Sequence, residues 1–146
     1  MCGLRGILFE CRERPLLDGE VTYENDRIGH LAGDAALAEA AERLRTAVRT
    51  ADLACRVGGD EFAVILPESA IADGEQLFAR IQRAISTEPI GQAGRLHLSA
   101  GVAELTTEDD SISLFERADN ALYRAKEAGK GHAVSADDRR TALAEP

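Results

Sequence analysis

Residues 56–67 read RVGGDEFAVILP, and the centre of that stretch could do chemistry. Gly58 and Gly59 permit positive φ angles and let a backbone or a phosphate come close, where a Cβ would obstruct it. Asp60 and Glu61 then stand beside open space. Carboxylate oxygens in such a place suit Mg²⁺, and a metal held there can bind the phosphates of a nucleotide. The same four residues also make an ordinary polar turn between two strands, so their surroundings must decide.

The elements around them can be read from periodicity. LRGILFE at 4–10 is a short apolar run bounded by charge and predicts a buried strand. CRERPLLDGEVTYEN reads as an irregular connection. From Asp34, placed as an N-cap, Leu37, Ala41, Leu44 and Val48 recur at helical spacing, predicting a helix that ends near Arg49. DLACRV and FAVIL flank the glycines as the arms of a hairpin, which Pro67 closes. A helix over about 74–86 carries Leu77, Phe78, Ile81, Ala84 and Ile85 on one face. RLHLSAGVAEL predicts a central strand whose Gly101 implies a bulge or a close backbone approach. A helix over about 111–128 follows, then HAVS as a short last strand. The polar stretch 135–146 is expected to be a disordered tail. The order is βαββαβ with an appended helix and strand: an α+β fold with a mixed, mainly antiparallel sheet.

Bulk properties exclude several classes. At 146 residues the chain has the length of one domain, and 45% apolar with 29% charged residues is the balance of a globular protein. A formal net charge of −9 argues against broad binding to nucleic acid or anionic lipid, so a phosphate ligand needs local cations or metal. Cys2, Cys11 and Cys55 form no CxxC pair, and His30, His97 and His132 are scattered. Neither a disulfide framework nor a zinc site is expected, and reduced thiols suit the cytoplasm. MCGLRGILFEC is too short for a membrane span or a signal peptide.

RVGGDEF resembles the signature of the GGDEF family of diguanylate cyclases. The resemblance extends to NDRIGHLAGD at 25–34, matching the family's NDxxGHxxGD, and to ADNALYRAKEAG at 118–129, matching ADxALYxAKxxG. Three motifs in order cover about residues 21–134. The resemblance implies a single GGDEF domain over 1–134, with 1–20 atypical, built on a ferredoxin-like core of the kind shared with polymerase palms and adenylyl cyclases. It implies that two GTP molecules are condensed into cyclic di-GMP by a homodimer of half-sites, with Mg²⁺ or Mn²⁺ as cofactor. Asn25 and Asp34 would hydrogen-bond guanine, with His30 beside the nucleotide. Gly58 and Gly59 would admit phosphate. Asp60 would be a metal ligand and the base for the 3′-hydroxyl, Glu61 would lie near the metal, and Lys126 and Lys130 would reach the terminal phosphates. Outside this context Asp34 reads as a helix cap and the lysines as solvated charges.

RTAD, Arg49 to Asp52, lies six residues ahead of the glycine pair and matches the family's RxxD product-inhibition site, to which Arg80 would add a second arginine. An arginine fork suits phosphate or a guanine edge, and a carboxylate suits guanine N–H groups. One position departs from the family: eight residues before Asn25, where its first metal carboxylate belongs, stands Leu17. Asp18 could replace it through a one-residue deletion. Glu10 could replace it if residues 11–20 are an insertion, and Glu10 is preferred because LRGILFE is the available strand. The alternative to a cyclase is a degenerate domain that binds cyclic di-GMP through RTAD.

Overall fold

The structure, a computed structural model, describes the backbone of residues 5–13, 23–91, 95–129 and 131–137, with side chains from residue 33 onward. Its elements in chain order are β1 (Arg5–Glu13), α1 (Tyr23–Ala47), β2 (Leu53–Gly58), β3 (Glu61–Leu66), α2 (Ile71–Ser86), β4 (Leu96–Glu104), α3 (Ser111–Glu127) and β5 (Ala133–Ser135). This is the predicted βαββαβ order with its appended helix and strand. The sheet runs β2-β3-β1-β4-β5, antiparallel except for the β4–β5 pair.

Alternation sorts the strands onto two faces. Phe62, Val64 and Leu66 of β3, with Leu96, Leu98, Ala100 and Val102 of β4, point to one side. There they meet Ala36, Ala40 and Leu44 of α1 and Leu77, Phe78, Ile81 and Ile85 of α2. Ile81 and Ile85 are almost wholly enclosed, so truncating either to alanine should cost about 2–5 kcal/mol. The opposite face is thinner. Ala103 packs with Ala118 and Leu122 of α3, edged by Ala63 and Leu114. Gly101 explains the closeness: a Cβ there would lie 2.0 Å from the Ala118 carbonyl oxygen and 2.4 Å from the Leu122 nitrogen. Of the two readings of that glycine, close backbone approach is the correct one.

Helix starts follow from capping. Asp110 Oδ1 accepts from the N–H groups of Ile112 and Ser113 at 2.9 and 2.8 Å, and Ser113 Oγ accepts from Asp110 N at 3.0 Å. This reciprocal box fixes the first turn of α3. Asp73 serves α2 similarly, accepting from Ala70 N at 2.6 Å. Asp34 does not behave as expected: α1 begins at Tyr23, so Asp34 is an exposed mid-helix residue and not an N-cap. Once nucleated, a helix gains a hydrogen bond for each residue it extends, and no proline interrupts 23–33. Gly29 and Gly33 weaken that extension by about 1 kcal/mol each without stopping it.

Two further expectations shift at their edges. β1 runs on to Glu13, taking in part of the segment read as irregular. Ser135 closes β5, and Asp137 pairs with Arg117 at 2.6 Å. Residues 138–146 lie outside the described residues.

Candidate active site at the β2–β3 turn

β2 and β3 meet in the two-residue turn Gly59–Asp60, closed by the pair Gly58 and Glu61. Gly59 has φ +51° and Asp60 is not among the positive-φ residues, the pattern of a II′ hairpin turn. Gly59 therefore uses the freedom of glycine, whereas Gly58 does not. A Cβ at either would meet nothing within 4 Å, so the space predicted beside the carboxylates is there. Between Arg56 and Gly58 the register slips by one residue. The bulge increases local twist, and Arg56 Nε donates to the Gly59 carbonyl at 2.8 Å, fastening the turn from its own strand. Sequence reasoning passed over Arg56, since an arginine ahead of a turn has no local signature of that bond.

Strand register brings a third carboxylate into line. Glu10 of β1 lies directly opposite Glu61 of β3 on one side and Ser99 of β4 on the other. Ser99, Glu10, Glu61 and Gly58 thus form one continuous row across four strands, ending at the turn. Among residues with described side chains, no three His, Cys, Asp or Glu gather into a metal-binding group; a third oxygen ligand beside Asp60 and Glu61 must come from elsewhere, and Glu10 holds the adjacent backbone position. An all-carboxylate donor set suits a hard divalent cation. Asp18, the other candidate, lies outside the described residues.

α3 delivers Lys126 to the same end of the sheet. Near its start Arg117 donates to the Glu104 carbonyl at 2.8 Å. Beyond its last turn Gly131 N donates to Ser99 Oγ at 3.1 Å. The helix therefore runs antiparallel to β4 and ends at the row. Partly buried Lys126 stands in its last turn. Lys130 lies outside the described residues.

Asn25, His30 and Asp34 all fall on α1. α1 and α2 are antiparallel, since Arg43 donates to the Ala84 and Glu88 carbonyls while Arg80 Nε donates to that of Ala47. The N-terminal part of α1 consequently continues past the end of α2, toward the Gly59–Asp60 end of the sheet. Nine residues of unbroken helix set the backbones of Asn25 and Asp34 about 13.5 Å apart along the axis and about half a turn out of phase. The Asp34 side chain is exposed, and those of Asn25 and His30 lie outside the described residues.

Arg49, Asp52 and Arg80 converge at the opposite end, where α1 gives way to β2. Asp52 Oδ2 accepts from Arg49 N at 2.8 Å, Asp52 N donates back to the Arg49 carbonyl at 3.0 Å, and the Arg49 guanidinium lies 3.8 Å from the same carboxylate. The Asp52 side chain is 2% exposed and that of Arg49 is 55% exposed. Arg80, held on the Ala47 carbonyl at 2.7 Å, satisfies one of the open acceptors at the helix end. An arginine pair is thus presented while the aspartate is built into the turn.

A family model described as diguanylate cyclase, GGDEF domain, matches residues 23–132, most of the chain and all three motifs. The chain belongs to the GGDEF family. Diguanylate cyclase DgcP of Pseudomonas aeruginosa is 43% identical over 109 residues, covering 73% of this chain and 16% of that protein. Response regulator PleD of Caulobacter vibrioides is 41% identical over 116 residues, covering 75% and 26%. The chain thus spans at most about a quarter of the length of these relatives. Among solved structures, the GGDEF domain of PA1120 (YfiN or TpbB) from P. aeruginosa has a TM-score of 0.74 at 30% identity, covering 92% of this chain and 83% of that one. The GGDEF domain of DgcB from Caulobacter crescentus, solved in complex with c-di-GMP, has a TM-score of 0.80 at 24% identity, covering 94% and 80%, a likeness of fold. No helix among the described residues of this GGDEF domain is long and apolar enough to cross a membrane.

Proposed function

We propose that this GGDEF domain condenses two molecules of GTP into cyclic di-GMP, working as a cytoplasmic homodimer whose two half-sites each hold one GTP. Residues 1–134 act as the domain. The observation that supports this reading is the row Ser99–Glu10–Glu61–Gly58, in which the backbone of Glu10 lies directly opposite Glu61 at the turn end of the sheet. In each of two equivalent steps a 3′-hydroxyl oxygen forms a bond to the α-phosphorus of the other nucleotide, and the bond to pyrophosphate breaks. Asp60 takes the hydroxyl proton. Gly58 and Gly59 give the phosphates backbone access, and Lys126 with Lys130 offsets charge on the terminal phosphates. Glu10, Asp60 and Glu61 would hold Mg²⁺ or Mn²⁺, which supplies Lewis acidity toward phosphoryl oxygens. Asn25, His30 and Asp34 receive the guanine, with a carboxylate matched to its N1 and N2 donors. The product binds at Arg49, Asp52 and Arg80, where it inhibits turnover.

A second reading is a receptor that binds cyclic di-GMP through the arginines without making it. The exposed Arg49 guanidinium, with Arg80 held on the Ala47 carbonyl at the same end, favours it. One experiment separates the two. Protein stripped of nucleotide is given GTP and Mg²⁺ at high protein concentration, and cyclic di-GMP is quantified chromatographically. Product that disappears in Asp60→Ala supports the cyclase. Absent product, from protein that still binds cyclic di-GMP and loses it in Arg49→Ala, supports the receptor.

A further inference from the structure

Ser99 is one of three buried polar residues among the described ones, 6% exposed between Leu98 and Ala100 of β4. Asp52 has its turn, and Ser69 donates to the Pro67 carbonyl at 3.0 Å at the far end of β3. A serine inside a sheet that packs this closely on a helix needs a reason: burying a hydroxyl costs free energy unless it is hydrogen-bonded. The hydroxyl oxygen of Ser99 accepts the Gly131 N–H at 3.1 Å. One residue on, the ladder continues with Ala100 N donating to the His132 carbonyl at 3.1 Å.

The segment so held joins the end of α3 to β5. Ala128 N–H closes α3 on the Arg124 carbonyl and Gly129 N–H reaches the Lys126 carbonyl at 3.3 Å. Gly129 and Gly131 both have positive φ, +117° and +76°, with nothing within 4 Å of a Cβ at either. A turn with two glycines in open space has wide conformational freedom. Lys130 lies between them in sequence, and Lys126 is one turn of helix before. The Ser99 bond closes this turn onto β4 at the one strand position whose neighbour in the row is Glu10.

We propose that Ser99 is a positioning residue for nucleotide binding, tethering Gly131, just beyond the end of α3, to the row so that Lys126 in the last turn of α3 is held at that end of the sheet. The proposal rests on the nucleotide reading of that row. Ser99 touches no ligand itself; its effect passes through the turn. It acts on the triphosphate and not on the base, because Lys126, which it steadies, is assigned to phosphate and the groups assigned to guanine are on α1.

The test compares binding of Mg-GTP and of guanosine by calorimetry in the wild-type chain, Ser99→Ala, Ser99→Thr and Ser69→Ala, with the Gly131 amide followed by ¹⁵N NMR. Ser99→Ala should weaken Mg-GTP by roughly five- to tenfold, the equivalent of one lost hydrogen bond, leave guanosine unchanged and move the Gly131 amide resonance. Ser99→Thr, which keeps the hydroxyl, should restore both. Ser69→Ala removes an equally buried hydroxyl far from the row and should lower melting temperature without altering Mg-GTP affinity. Equal losses for GTP and guanosine in Ser99→Ala, or equal losses of GTP in Ser99→Ala and Ser69→Ala, would overturn the positioning role and leave a plain stability effect. An unmoved Gly131 amide would remove the tether. A wild-type chain that binds Mg-GTP no better than guanosine would sink the nucleotide reading, and the proposal with it.

Discussion

The two ends of the sheet use carboxylates in opposite ways. At the end where α1 joins β2 and β4 joins α3, the acids answer backbone amides: Asp52 accepts from Arg49, Asp109 from Thr106, and Asp110 from Ile112 and Ser113. At the other end Asp60 and Glu61 flank a turn whose glycines look onto open space, with Glu10 next in the row. A carboxylate whose oxygens already take amide protons is stabilised as an anion and contributes to the fold. One placed beside free volume can contribute to a ligand. In a chain of net charge −9, the number of acids alone says little about where the proposed cation site lies.

The largest effect should come from the open end. Asp60→Ala should reduce cyclic di-GMP formation from GTP by at least about a hundredfold, the lower end of what a positioned general base contributes, while leaving cyclic di-GMP binding intact by calorimetry. Glu10→Gln should raise the Mg²⁺ concentration needed for half-maximal GTP binding by at least the roughly tenfold seen for loss of even an outer-shell partner, whereas Asp18→Asn should not. The reverse result would assign the third carboxylate to Asp18 and break the row. At the committed end the same type of change should act on folding. Asp52→Ala leaves the Arg49 amide without its acceptor, so stability measured in urea should fall by about 1–3 kcal/mol. Arg49→Ala should leave the urea midpoint nearly unchanged and lower cyclic di-GMP affinity by roughly ten- to a hundredfold, as for a charged hydrogen-bond donor.

The smallest effect is one of pH. The Thr106 amide, foremost, with Ser113, the Thr106 hydroxyl and Arg117, outweighs partial desolvation and holds Asp109 at about 2, below its ordinary 3.8. Asp110 is lowered too, chiefly by the Ser113 amide. Because the folded value is depressed, this contribution is fully present above about 3.8 and is lost as pH falls through about 2. Asp109→Asn should lower the melting temperature above about pH 5, where the contribution is fully present, and the gap to wild type should close as pH falls through that window.

Much of this was legible from residue spacing because the features are local. The hairpin, α2 and α3 are set by periodicity and turn residues within a few positions of one another, and Gly101 stood out as the one glycine in an apolar run. The start of α1 was not, because Asp34 ahead of an apolar repeat has the appearance of a cap, and only the continuous backbone from Tyr23 shows that it is not one. Glu10 was legible as a strand end, yet its partner was not, since register between β1 and β3 depends on the whole sheet. Ser99 and Arg56 were missed for a simpler reason. Their residue types are ordinary, and the amide and carbonyl they bind declare themselves only in three dimensions.

The position of β1 also sets an order of events. It is the first strand to leave the ribosome and the central one in the sheet, and the neighbours of Glu10 are made 51 and 89 residues later. At cellular synthesis rates of about 5–20 residues per second, that second neighbour emerges on the order of ten seconds after Glu10. Until then the row has no backbone to complete it, so nascent chains that end before β4 present GGDE without its frame. On the proposed function, cation binding would therefore mark a finished domain.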